Sequence, residues 1–306
     1  MKYLILLLKG IGMGAADVIP GVSGGTIAFI TGIYEELVGS IKSINLSAFR
    51  YLAKDGVLAF WKKINGNFLI AVFLGILISI FSLAQLLEFL LGRYPILVWS
   101  FFFGLILASA IYIANKISSW NAKKISGLLA GIGVAYLITI LTPAQTPESG
   151  WFIFISGALA ICAMILPGIS GAFILLLLGK YQFVIAAVGN LNISILAILA
   201  AGALIGIISF SNLLAWLLKK YHDVTIAVLA GFMVGSLNKV WPWKETVSTF
   251  IDRHGEIQPL MQKNVLPSAY ATVSGQDPFF WQACLLATGG FLLIFIVEGI
   301  TRLNPK

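Results

Sequence analysis

Five long apolar runs, at 68–91, 96–114, 125–141, 193–218 and 279–300, decide what this chain can fold into. Each is close to or beyond the roughly 20 residues that a helix needs to cross the hydrocarbon core of a bilayer. The runs are continuous rather than alternating, which argues against a transmembrane barrel. Charged residues make up 10% of the 306-residue chain, against about 25% in soluble domains. The sequence therefore reads as one polytopic membrane domain, without room for a separate soluble enzyme. The first residues do not read as a signal peptide: Lys9 interrupts the short run Leu4–Leu8, and no separated cleavage site follows. Cys162 and Cys284 lie inside apolar segments and are expected to be packing residues rather than a disulfide.

Self-similarity is the strongest internal signal. Pro20-Gly21-Val22-Ser23-Gly24-Gly25 recurs 147 residues later as Pro167-Gly168-Ile169-Ser170-Gly171-Ala172. At the same offset Gly32 matches Gly179, Tyr34 matches Tyr181, and Asn45 matches Asn192. At offset 127, Gly75 matches Gly202, Tyr94 matches Tyr221, Gly104 matches Gly231 and Ser109 matches Ser236. Residues 1–142 then form a first repeat, with an interrupted hairpin at 2–41, an amphipathic surface helix at 46–63 and spans at 66–92, 94–116 and 123–142. Residues 143–306 form a second, with a hairpin at 151–190 and spans at 193–219, 222–240 and 279–301. The polar stretch 241–278 reads as an extracytoplasmic loop. The expected fold class is an all-α polytopic membrane protein of two inverted-topology repeats, each an interrupted or re-entrant helical hairpin plus three transmembrane helices. Inversion follows because a hairpin returns to its starting side and three further spans make the crossing number odd.

The basic residues test that topology. Of the 20 lysines and arginines, 14 fall on one face, among them Lys9, Lys42, Lys62, Lys63, Lys123, Lys124, Lys219 and Lys220. The other face holds 6: Arg93, Lys180, Lys239, Lys244, Arg253 and Lys263. The bias puts both termini in the cytoplasm. Basic residues that punctuate apolar spans do not make the patch that nucleic acid would need, so no nucleic-acid partner is expected.

Proline and glycine inside an apolar segment break the helix, and lipid tolerates the break only where protein or a water-filled cavity surrounds it. After Pro20-Gly21, Ser23 is a good N-cap, and the run beginning at Ile27 continues as a new helix. The first amides of such a helix are unpaired and its dipole end is positive, which favours an anion. The expected substrate site is therefore Pro20, Gly21, Ser23, Gly24, Gly25 and Thr26, joined from the other half by Pro167, Gly168, Ser170 and Gly171. Arg93 could pair with a phosphate on the outer side. Acidic residues in apolar segments are costly and default to function; Asp17 and Glu35 are candidates for proton or sodium coupling, or for structural capping. Glu88 and Glu298 read as interfacial. Gly10/Gly14, Gly127/Gly131, Gly202/Gly206 and Gly231/Gly235 have helix-packing spacing.

No nucleotide-binding G-x-x-x-x-G-K-[ST] motif occurs. His222 and His254 are the only histidines, read as outside the spans, so no metal site or other cofactor is expected. A lipid phosphatase working through a phosphohistidine would want histidine beside the Ser-Gly motif, and neither copy has one. A channel or exchanger for a small inorganic anion could use the same helix starts.

The motif Gly12-Met13-Gly14-Ala15-Ala16-Asp17-Val18-Ile19-Pro20-Gly21-Val22-Ser23-Gly24-Gly25-Thr26, with Gly32-Ile33-Tyr34-Glu35 behind it, resembles the signature of the bacterial polyprenyl-phosphate translocase family (the PopT type). Met164-Ile165-Leu166-Pro167-Gly168-Ile169-Ser170-Gly171 is similar to its second copy, and the resemblance covers nearly the whole chain. It implies translocation of undecaprenyl phosphate or a related polyprenyl phosphate across the cytoplasmic membrane. It also implies a site lined by 20–26 and 167–171 with Asp17 and Glu35 nearby, and no enzymatic step. Related sequences often carry an acid after the second-half tyrosine, where Gln182 stands here.

Overall fold

The computed structural model describes residues 2–19, 22–251 and 257–303. Pro20 and Gly21 lie outside the described residues, as do the side chains of Glu88 and Glu298. The chain runs through α1 (Lys2–Val18), α2 (Gly24–Ile30), α3 (Tyr34–Ser43), α4 (Leu46–Lys63), α5 (Gly66–Arg93), α6 (Pro95–Ala114) and α7 (Ala122–Ile140). It continues through α8 (Gly150–Ile165), α9 (Gly171–Leu177), α10 (Tyr181–Gly189), α11 (Ile193–Lys220) and α12 (His222–Ser236). Strands β1 (Lys244–Ile251) and β2 (Ile257–Asn264), then α13 (Pro267–Ser274) and α14 (Phe280–Leu303), complete it.

Among the described residues, four helices are long and apolar enough to cross a membrane, within α5, α6, α7 and α11. The bent pair α9–α10, turning by 110°, makes five if counted as one span. The chain is a multi-pass membrane protein. Expected span 222–240 ends early, because α12 stops at Ser236 and 237–240 are turn. Its 15 residues reach about 22 Å at 1.5 Å per residue, short of the roughly 30 Å core. The all-α expectation also fails locally: β1 and β2 pair antiparallel, with register irregularities at Thr246/Ser248 and Ser248/Thr249. Tryptophans moor this ribbon, with Trp241 Nε1 donating to Val265 O at 2.9 Å and Trp243 Nε1 to Pro278 O at 2.8 Å.

Four helix pairs carry the packing: α1 with α5, α8 with α11, α6 with α14, and α7 with α12. Apolar side chains gain little from leaving lipid for protein, so association depends on close backbone approach. Glycines supply it in every pair. A Cβ on Gly10 or Gly14 would run into the backbone of Val72 or Ile76 on α5, and one on Gly202 into Phe154 on α8. Gly131 and Gly231 do the same between α7 and α12, and Gly104 and Gly290 between α6 and α14.

Backbone details recur at the matched positions. Gly32 and Gly179 both take left-handed conformations, φ 71° and 63°, and both end a seven-residue helix. After them Ile33 N donates to Ala28 O, and Lys180 N to Leu175 O, at 2.9 and 2.8 Å. Asn45 and Asn192 cap α4 and α11 through their side chains. Tyr94 and Tyr221 share φ −134° and −133° between long helices.

Helix α4 is capped and kinked at Gly56, φ 82°. It leaves Tyr51, Leu52, Val57 and Leu58 exposed. Cys162 is half-buried and Cys284 is exposed on α14; both are free thiols.

Candidate functional site

The two interrupted segments touch. Ser23 Oγ donates to Met164 O at 2.8 Å, and Gly168 N donates to Thr26 Oγ1 at 3.0 Å. These bonds join residues 141 and 142 positions apart. Gly25 faces the second break so closely that a Cβ there would sit 2.5 Å from Ile165 O. Gly168 has φ 92°, which an L side chain rarely adopts, and a Cβ there would meet Ser236 Oγ at 2.7 Å. Ser23, Thr26 and Ser170 are buried at 0, 0 and 3% exposure, and Gly24, Gly25, Pro167, Gly168 and Gly171 are buried with them.

Each short helix begins as its sequence dictates. Ser23 takes extended dihedrals (φ −125°, ψ 136°) and accepts from Gly25 N at 3.1 Å. Ser170 does the same (φ −100°, ψ 139°) and accepts from Phe173 N at 3.3 Å. Asp17 Oδ1 accepts from Gly24 N at 2.7 Å. A carboxylate of the chain itself thus stands at the first amide of α2, where its charge also suits the helix dipole.

The expectation of bare amides is therefore revised at the first break. Gly24 N and Gly25 N are held by Asp17 and Ser23, and Thr26 N by Ser23 O at 2.9 Å. An orphan N–H in an apolar interior costs several kcal/mol, and this packing supplies an acceptor to each. The first break is thus closed, and at the second Gly168 N and Phe173 N are held by Thr26 Oγ1 and Ser170 Oγ.

Other expected residues lie elsewhere. Glu35 is exposed at the start of α3, where Oε1 faces His222 Nε2 at 3.1 Å. His222 also meets Asp223 at 3.2 Å, and Asp223 pairs with Lys124 Nζ at 2.6 Å. This cluster ties α3, α7 and α12 together, and its Glu35, His222 and Asp223 line a cavity of about 350 Å³ with Tyr34, Glu36 and Lys116. Arg93 is exposed at the end of α5 and is not brought to the junction. Among the described residues no group of three or more His, Cys, Asp or Glu could hold a metal ion.

Sequence reasoning gave no role to Lys239 and Lys244. Lys239 Nζ sits over the Phe173 ring at 4.2 Å, and Lys244 Nζ over the Trp99 ring at 4.2 Å. Both lie beyond α12, and only the fold of the ribbon gathers them.

The chain is 47% identical over 298 residues, 97% of either chain, to a polyprenyl-phosphate transporter of Vibrio cholerae serotype O1. It is 36% identical over 256 residues to a polyprenyl-phosphate transporter of Staphylococcus aureus, covering 78% of this chain and 86% of that one. No solved structure matches it. The profile of the undecaprenyl phosphate translocase-like family (VCA0040-like) matches residues 13–258. With most of its length inside that profile and a relative of this identity end to end, the chain belongs to the undecaprenyl phosphate translocase-like family.

Proposed function

We propose that this chain carries undecaprenyl phosphate or a related polyprenyl phosphate across the bacterial cytoplasmic membrane by alternating access, without chemistry on the lipid. The observation that carries the reading is the contact between the two breaks, Ser23 to Met164 and Gly168 to Thr26. The names of the relatives from Vibrio cholerae and Staphylococcus aureus supply the substrate class. A phosphate leaving water must be met by donors, since desolvation of an unpaired charge costs many kcal/mol. Backbone amides and hydroxyls at 23–26 and 168–173 are such donors. Arg93, exposed at the end of α5, is a candidate to meet a phosphate on the outer side. In the closed junction Asp17 and Thr26 hold two of the amides. Transport requires the halves to separate there, so that phosphate oxygens replace the carboxylate and the hydroxyl while the polyprenyl tail stays in lipid.

Inverted repeats would make the rocking symmetric. The pairing of α6 with α14 and of α7 with α12 supports this. If α6 corresponds to α12 and α7 to α14, as Gly104 and Gly231 suggest, a two-fold relation exchanges the two pairs. The charge asymmetry of 14 against 6 basic residues supports cytoplasmic termini. It also supports a position for α4 along the cytoplasmic headgroups. Asp17 is the candidate for ion or proton coupling at the junction, and Glu35 for coupling at the His222 cluster.

Leaflet-to-leaflet transfer in proteoliposomes tests the proposal. Purified protein is expected to move undecaprenyl phosphate far faster than protein-free liposomes and to release no inorganic phosphate. Transfer no faster than in empty liposomes would remove the lipid assignment.

A further inference from the structure

A basic cavity lies apart from the junction. A cavity of about 440 Å³ is enclosed by the end of α7, one face of α9, the turn after α12 and the β1–β2 ribbon. Lys239, Lys244 and Lys263 line it, and among the described residues no aspartate or glutamate does. Lys239 rests on the Phe173 face, and Lys244 donates to Lys239 O at 2.6 Å while resting on Trp99. Among the described residues neither ammonium has a carboxylate partner. Burial and the neighbouring Lys239 push Lys244 toward its neutral form, and a bound anion would restore its charge and relieve the repulsion.

The rest of the wall is divided in kind. Asn238 Nδ2 donates to Thr139 Oγ1 at 2.8 Å, and Asn264 Nδ2 to Asn238 Oδ1 at 2.8 Å, so a fixed amide and hydroxyl network adjoins the lysines. Leu141, Leu176, Leu177 and Val247 supply apolar surface beside it. The volume is within the roughly 300–1,000 Å³ of small-molecule sites. Phe173, which carries Lys239 on its ring, is also the residue whose amide bonds to Ser170. The cavity wall and the second break are thus parts of the same helix.

We propose that this cavity binds a phosphate monoester through Lys239 and Lys244, with the apolar wall receiving the first carbons of an attached chain. The proposal rests on the transport reading, because it makes the cavity the outer docking station from which a headgroup reaches the second break. Its chemistry could equally be met by free phosphate, and the two ligands are separable.

The test uses the full chain in detergent or nanodiscs, titrated with inorganic phosphate and with farnesyl phosphate, for wild type, Lys239→Gln, Lys244→Gln and the double variant. A charge-assisted contact of about 1.5–3 kcal/mol corresponds to about tenfold or more in affinity. Loss of about tenfold in each single variant, more in the double, with recovery in Lys239→Arg, is expected. Tighter binding of farnesyl phosphate than of inorganic phosphate assigns the cavity to a lipid headgroup; equal affinity assigns it to free phosphate. Wild-type affinity in a double variant of unchanged melting temperature overturns the proposal. If that variant also transports normally, the transport reading survives without this cavity. If wild type binds through these lysines but transfers no lipid, the cavity survives without the transport reading.

Discussion

At the scale of single residues, the decisive pair is Asp17 and Gly24. The carboxylate bonds to Gly24 N at 2.7 Å, which makes it a resident anion at the place proposed for phosphate. Asp17→Asn keeps an oxygen acceptor and removes the charge. It is therefore expected to raise phosphate affinity, because like-charge competition is lost, at a stability cost of about 1 kcal/mol or less. Weaker phosphate binding in Asp17→Asn, titrated in the Lys239→Gln/Lys244→Gln background so that the junction alone is read, would mean that Asp17 does not compete with the ligand. Lys239 gives a second prediction. It lies in the turn beyond α12, where burial pushes its ammonium down to about 8. The charged form prevails below that value and the neutral form above it. Lys244 and Lys263 face the same space, no carboxylate lines it among the described residues, and burial and Lys239 hold Lys244 below its ordinary range as well. The part of phosphate affinity that depends on Lys239 should be present at pH 7 and largely lost by pH 9. A phosphate monoester has its second pKa near about 6, so its own charge does not produce the fall. An affinity flat from pH 7 to 9 would contradict this assignment.

At the scale of elements, the helices were legible because their signals are local. The caps Asn45, Ser23 and Ser170, the glycines at 32 and 179 and the apolar runs all act within a few residues. The ribbon β1–β2 was not read, although Thr246, Val247, Thr249, Phe250 and Ile251 favour strand. Pro259 argued against a strand in β2, yet it pairs opposite Thr249 beside a register irregularity, where a two-stranded ribbon tolerates a missing N–H. The engagement of Gly24 N by Asp17 was legible as structural capping, one of the two readings the sequence left open, and packing selects the amide it takes. Helix seams offer a sharp contrast. A Cβ at Gly104 would fall on the backbone of Ala287, whereas at Gly133 and Gly289 it would meet nothing. Gly104→Ala is expected to destabilise by about 1–3 kcal/mol through overpacking. Gly133→Ala and Gly289→Ala should be neutral or stabilise by up to about 1 kcal/mol through helix propensity. Thermal or denaturant unfolding in detergent checks the order, and a Gly104→Ala as stable as Gly133→Ala would show that the α6–α14 seam is loose.

At the scale of the molecule, the doubled motif in the sequence anticipated two helix breaks, and the structure brings them into hydrogen-bonded contact. What the sequence could not contain is the closed state of that contact, because amides free in one conformation are satisfied in another. A closed junction with internal acceptors is what an alternating-access carrier needs between loads, since bare donors in lipid would be costly in the empty state. Each of Ser23 and Ser170 caps a short helix, and the proposed function gives each a second role, donating to the phosphate when the halves separate. The most direct measurement is undecaprenyl phosphate transfer between leaflets of proteoliposomes containing wild type, Ser23→Ala or Ser170→Ala at equal reconstituted amounts. Transfer by wild type, slowed about tenfold or more in each variant, is the expected result; wild-type rates in both variants would contradict the placement of the phosphate at the paired breaks.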